Sequence, residues 1–304
     1  MLLYIWCLDF IIISTAGMSD NFFSFYLLPL AIAFIMFGVG LNLRVTDFTQ
    51  TFKKPKAVIV GLLAQIVILP LIAFAINAFS NIDPIYKVGL VLIAACPGGT
   101  TSNLVTLFLR GRLALSVTLT AFNSFLILFT IPLVAHLSLY VYEGLDKSIA
   151  MPVWETVANM LLTILLPTVL GMSLGHYFSG QVIRARKIIN VAMTLFLLFV
   201  FLGIFMFESA GSGTISEYFY LIIPTFALNA IGMFAGYLLA WKVGIENRGR
   251  FTIAIQVGLQ NSALAIYVAS KLLGQPEMAV VAIIYSSFTL ITTTFWAFIM
   301  KKYL

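Results

Sequence analysis

Uncharged apolar runs of about twenty residues recur through this sequence, and they constrain the fold more than any other feature. An α-helix needs about 20 such residues to cross the hydrocarbon core of a bilayer once. Charged or Pro/Gly-rich breaks separate runs at about 2–17, 24–43, 57–79, 88–109, 113–140, 153–177, 188–208, 218–242, 251–272 and 278–300. With 62% of its 304 residues apolar and only 9% charged, the chain has too few polar side chains to cover a water-facing surface. A soluble enzyme, a nucleic-acid-binding domain and a secreted domain are poor readings of it. Strands of a membrane barrel would alternate in polarity over about ten residues, and runs such as 188–207 do not. The expected fold is an all-α polytopic membrane protein of about ten transmembrane helices. The first run is short and carries Asp9, so it either crosses or lies in the interface.

The net charge of +6 is explained by its placement. Alternate loops carry Arg44, Lys53, Lys54 and Lys56, then Arg110 and Arg112, then Arg184, Arg186 and Lys187, then Lys242, Arg248 and Arg250, and finally Lys301 and Lys302. The intervening loops hold only Lys87, Lys147 and Lys271, with Asp20, Asp83, Glu143, Asp146, Glu208, Glu217 and Glu277. Basic loops stay in the cytoplasm, which gives a multi-pass protein of the inner (plasma) membrane with both termini cytoplasmic. The lipid bilayer is the implied partner; no nucleic acid and no obligate protein partner is needed. Met1 opens directly into apolar sequence, without the pattern of a cleavable signal.

Cys7 and Cys96 are far apart in apolar runs, and His136 and His176 are isolated. They form no metal-ligand spacing and no disulfide framework, so no cofactor is expected. An intramembrane enzyme would need a nucleophile with its base, or paired acids, whereas Glu155 lies at a span end and Asp9 stands alone.

Ten spans divide as five plus five, 1–150 and 151–304, and an odd number per half places the second half upside down in the membrane. Secondary transporters use this arrangement, with substrate held at broken helices near the midplane. Spans four and nine are the matching interrupted pair. In span four, Pro97, Gly98 and Gly99 precede Thr100, Thr101, Ser102 and Asn103; span nine carries Gln256, Gly258, Gln260, Asn261 and Ser262 in its middle. Unwound backbone inside a membrane needs cations, water or protein around it.

These residues carry a resemblance. CPGGTTSN paired with VGLQNS, together with IMFGVGLNLRVTDF, KKPKAVIVGLLAQ and RGRLALSVTLT, resembles the bacterial branch of the bile acid:sodium symporter family. The resemblance implies an inverted five-plus-five repeat. Spans one, two, six and seven would form a panel, and spans three to five and eight to ten a core in which broken helices four and nine cross. It implies alternating access, a small organic anion as substrate (bile acid-like or pantoate-like) and Na⁺ as the coupling ion, one or two per cycle. A first sodium site would use Ser102, Asn103, Ser116, Thr120 and Gln256. A second would use Gln65, Gln256, the carbonyls of Val257 and Leu259, and Gln260. Thr100, Thr101, Asn261, Ser262 and Thr289 would meet substrate. Ser116 and Thr120 are four residues apart and so share a helix face, and their oxygens suit a hard cation. Taken singly, a Ser or Thr in a span also serves to bond its own helix or a neighbour.

Two positions depart from the family pattern. A glutamate that would serve both sodium ions is here Gln256, whose amide oxygen is expected to coordinate still. Without the carboxylate, two ions about 8 Å apart at an effective dielectric of about 20 repel by roughly 2 kcal/mol. Phe288 and Thr289 replace the His-Asn pair of bacterial relatives, which removes a donor from the substrate cleft. The sequence is thus compatible with an introduced neutral mimic at 256, with a symporter of weakened or one-site sodium coupling, and with a sodium-independent facilitator or proton-coupled carrier. Outside the carriers stand a channel, a non-transporting sensor and an intramembrane enzyme.

Overall fold

A computed structural model describes residues 28–42, 55–142, 158, 161–182, 184–185, 188–189, 191–192, 195–196 and 215–301. The expected first span lies outside the described residues, and so does most of the seventh. The rest form α1 (Leu28–Asn42), α2 (Pro55–Phe79), α3 (Pro84–Ala95), α4 (Thr100–Phe108), α5 (Leu113–Tyr142), α6 (Leu161–Tyr177), α7 (Ile222–Lys242), α8 (Asn247–Gly258), α9 (Ser262–Leu272) and α10 (Pro276–Lys301). No strand longer than a single bridge occurs among the described residues. The segments Pro55–Phe79, Leu113–Tyr142, Tyr218–Lys242 and Pro276–Ile299 are each long and apolar enough to cross a membrane.

Proline places several of these starts. Pro84 and Pro276 occupy the first helical position of α3 and α10, where a missing N–H costs nothing. Within α2, α6 and α9 the chain widens by a residue for one π-turn, at Ala64–Ile68, Leu161–Leu165 and Val268–Leu272.

Polarity is arranged inside out, as a lipid solvent requires. Along α5, Leu126, Phe129, Leu133, Leu137 and Tyr140 form one exposed stripe at helical spacing. The opposite face buries Ser116, Thr120, Asn123 and Ser124. Ser124 bonds its own helix at the Thr120 carbonyl, 2.8 Å away.

Helix α1 packs chiefly on α6, whereas α2 to α5 and α7 to α10 pack among themselves. The α1–α6 contact is backbone on backbone. A Cβ added at Gly40 would run into the Thr168 carbonyl, and one at Gly171 into that of Phe37. Small residues permit this close approach in membranes. In the other group, the turn after α4 docks on α8. Arg110 takes a left-handed φ of 59° there. Gly111 N–H bonds the Thr106 carbonyl at 2.8 Å, and Arg112 N–H bonds Thr252 Oγ1 at 2.8 Å. Arg112 also pairs with Glu246 at 3.1 Å.

Candidate functional site

Span four breaks as the sequence predicts, between α3 and α4, and span nine between α8 and α9. The second break is shorter than expected: Gln256 and Gly258 still belong to α8, and only Leu259, Gln260 and Asn261 leave the helix. The two breaks cross and pair. Gly99 N–H donates to the Leu259 carbonyl at 2.9 Å, and Asn261 N–H donates to the Pro97 carbonyl at 2.8 Å. Gly98 and Gln260 therefore form one antiparallel bridge. Pro97 has no N–H to lose, and the bridge satisfies polar groups that hydrocarbon would leave bare. Asn261 then caps α9, its Oδ1 accepting from Leu264 N–H at 3.1 Å. Gly98 is glycine because of its neighbours: a Cβ there would strike Gln256 Oε1 and come within 3.1 Å of the Gln256 carbonyl.

Beside this crossing lies a cage of oxygens, buried at Ser116 and Thr120 and half-buried at Asn103. Gln256 Nε2 stands 2.6 Å from Ser116 Oγ, 2.8 Å from the Ser116 carbonyl, 3.1 Å from Thr120 Oγ1 and 3.2 Å from Asn103 Oδ1. The Ser116 carbonyl fixes which end of the amide points inward, since it can only accept a hydrogen bond. Ser116 Oγ donates to Asn103 Oδ1 at 2.7 Å, so α4, α5 and α8 meet in one network. The outer amide oxygen of Gln256 is buried with no hydrogen-bond partner. The expected oxygen ligand at 256 is thus turned away from this cage. The reason is chemical, since an amide among acceptors presents its N–H groups.

A second group follows the break in span nine. Gln65 Nε2 donates to the Gln256 carbonyl at 2.9 Å, and Gln65 Oε1 accepts from Asn123 Nδ2 at 3.3 Å. Gln260 Nε2 donates to the Val257 carbonyl at 2.7 Å. The side-chain oxygens of Gln260 and Asn123, like that of Gln256, are buried without a partner. Behind the break, the Gly258 carbonyl accepts from Asn229 Nδ2 at 2.7 Å and from Tyr285 OH at 2.9 Å. Thr292 Oγ1 donates to Asn229 Oδ1 at 2.8 Å.

Asn103, Ser116, Thr120 and Gln256 are therefore gathered at one point. Ser102 is buried beside them, but its hydroxyl donates to the Gly99 carbonyl in its own turn at 2.5 Å. Gln65, Gln256, Val257, Leu259 and Gln260 lie along the second break. Thr101, Asn261 and Ser262 are half-buried at the starts of α4 and α9, and Thr100 is the first residue of α4. Thr289 is buried on α10, one turn before Thr292 and Thr293. Sequence reading missed Asn123 and Asn229. Asn123 was discoverable, because it continues the face of Ser116 and Thr120 at i+7 and i+3.

Every group bonded at the crossing is an amide, a hydroxyl or a backbone carbonyl. Among the described residues, no three His, Cys, Asp or Glu side chains come together. Neutral oxygens of this kind are the ligand type a hard monovalent cation takes, and the bonded groups include no acid–base pair.

Comparison with known proteins bears on this geometry. A model of the sodium bile acid symporter family matches residues 29–212. The chain is 33% identical over 249 residues to "Probable sodium/metabolite cotransporter BASS1, chloroplastic" of rice, covering 82% of this chain and 59% of that protein. It thus spans about three-fifths of that relative's length. It is 30% identical over 273 residues to the "Uncharacterized sodium-dependent transporter YocS" of Bacillus subtilis, covering 88% and 82% of the two chains. It is also 30% identical over 268 residues to the human "Ileal sodium/bile acid cotransporter", covering 86% and 75%. These relatives are named as transporters, and the matched region takes in α1 to α6. With its apolar helices and paired helix breaks, this multi-pass membrane chain belongs to the sodium bile acid symporter family.

Proposed function

We propose that the protein is a secondary active transporter that moves a small organic anion across the inner membrane with sodium, by alternating access, and that its sodium coupling is weakened at position 256. The observation that carries this reading is the crossing itself. Two interrupted helices from opposite halves of the chain meet through their backbones beside buried, uncharged oxygen ligands.

The halves 1–150 and 151–304 act as inverted repeats in this reading. The pairing of α1 with α6 supports a panel made of spans one, two, six and seven, and the packing of the other described helices supports a core. Thr100, Thr101, Asn261 and Ser262 receive the anion at half-helix starts, where free N–H groups favour negative charge. Thr289 contributes from α10. Bile acid-like and pantoate-like carboxylates are the substrate classes to test first. The names of the ileal and chloroplast relatives support an anion or metabolite driven by sodium. The distribution of Lys and Arg over alternate loops supports cytoplasmic termini. Proton coupling is disfavoured, because the groups bonded at the crossing do not titrate near neutral pH.

Uptake into proteoliposomes tests the reading. A panel of labelled carboxylates and sulfonates is offered with an inward sodium gradient, and again with potassium in its place at several pH values. Accumulation of one class above equilibrium, only with sodium, is expected. Equal uptake with potassium, or uptake that follows a proton gradient, would overturn sodium symport. Saturable binding without flux of any anion would favour a sensor.

A further inference from the structure

We propose that the side-chain nitrogen of Gln256 stands in the place of one coupling cation. The carrier then moves a single sodium ion per anion, held on the other side of the same amide by oxygens gathered about Gly98. This rests on the reading of the chain as a sodium-coupled anion carrier and specifies its ion count.

The cage around Gln256 Nε2 is oversupplied for the group that fills it. An amide nitrogen has two hydrogens to give, yet four oxygens stand within 2.6–3.2 Å of it. They come from two helices, α4 and α5, and include a carbonyl, two hydroxyls and a side-chain amide oxygen. Such a convergence suits a small cation, which accepts all its ligands at once. The amide meets it with the positive end of its dipole and is tethered to α8, so the position is filled without an ion. A free sodium would have to expel this nitrogen and break its hydrogen bonds. With no carboxylate in the cage, it would bring an uncompensated charge into a site where Ser116 is 0% exposed and Thr120 is 3% exposed. The residues present do not fit an ion at that point.

The other face of the amide shows the opposite imbalance. Gln256 Oε1, Gln260 Oε1 and Asn123 Oδ1 are buried acceptors without donors. Two belong to residues against Gly98 and the third to a residue bonded to Gln65 beside it. Gln256 Oε1 abuts it, Gln260 pairs with it across the backbone bridge, and Asn123 bonds Gln65, whose Nε2 lies 3.0 Å from where a Gly98 Cβ would stand. Buried orphan oxygens are costly unless something positive completes them. One sodium ion does so. With a monovalent anion, one Na⁺ gives a neutral load, so transport is electroneutral.

Equilibrium binding of radioactive sodium to the purified full-length protein, without any anion, tests the count directly. One ion per chain is expected for the wild type. Two for Gln256→Glu are expected, because its carboxylate supplies charge and removes the N–H groups from the cage. Asn123→Ala should weaken the single wild-type site about tenfold, with the count unchanged. Two ions, or none, bound to the wild-type protein would overturn the proposal, as would a sodium affinity indifferent to Asn123. The wild-type count needs no substitution, so a variant that fails to fold leaves the test standing. Failure here is separable from failure of the transport reading. Sodium-driven uptake with two ions bound sinks only the one-ion inference, whereas one bound ion with no flux of any anion sinks only the transporter.

Discussion

At the scale of single residues, Gly98 and Gln256 depend on one another. A methyl group at 98 would overlap the Gln256 side chain, so Gly98→Ala is expected to destabilise the protein by about 1–3 kcal/mol, read as a lower thermal midpoint in detergent. Because the overlap is with the tip of a flexible side chain, adding Gln256→Ala should recover part of the loss. Equal destabilisation with and without the Gln256 side chain would show that the clash lies elsewhere. The candidate site residues were reached through the family resemblance, because a polar side chain in a span, taken singly, also serves to bond its own helix or a neighbour. Asn103, Ser116, Thr120, Gln65 and Gln256 were all singled out from the sequence, and they converge. What the sequence did not carry was the direction of an amide. Gln256 offers an oxygen and a nitrogen at similar reach, and the Ser116 carbonyl, far away in the chain, decides between them. Asn229, which bonds the Gly258 carbonyl, escaped for a similar reason, since alone it reads as an ordinary polar residue in a span.

At the scale of elements, the helix breaks were legible and their shapes were not. Pro97, Gly98 and Gly99 followed by four polar residues announce the end of a helix through backbone chemistry alone. The break in span nine has no proline, and its residues Gln256 to Gly258 stay helical because the α8 backbone bonds hold through to Leu259 N–H, 3.0 Å from the Ile255 carbonyl. The π-turns in α2, α6 and α9 left no mark in residue pattern, because a single inserted residue does not disturb an apolar run. The α1–α6 contact leads to a second expectation. Gly171 sits against the Phe37 carbonyl with no room for a side chain. Gly171→Leu should force the two helices apart and lower stability by about 1–3 kcal/mol or more. A thermal midpoint unchanged in detergent would mean that the two helices do not hold this spacing in the folded protein.

At the scale of the whole molecule, the order of polarity follows from the solvent. Lipid removes the advantage of polar surfaces, so the apolar stripe of α5 faces outward and its hydroxyls and amides face in. The charges that remain work at the edges. Arg112 and Glu246 tie the turn after α4 to the start of α8 on the basic side, where a charge costs little. This global inversion was legible from composition alone. Which helices pair was not, because every apolar face fits lipid and another apolar face about equally well.

The antiparallel bridge between the two breaks has a consequence for how the protein is made. The Pro97 carbonyl and Gly99 N–H belong to the first half, and their partners, Asn261 and Leu259, are synthesised long afterwards. Until then the interrupted fourth span is an unfinished insertion, with bare backbone groups that cost several kcal/mol each in hydrocarbon. The first half expressed alone should therefore be short-lived in the membrane. Co-expression of the second half as a separate chain should restore its lifetime in pulse-chase labelling; equal lifetimes with and without it would mean that the break closes unaided. On this expectation the crossing is completed late in biogenesis, only after residue 261 has been made.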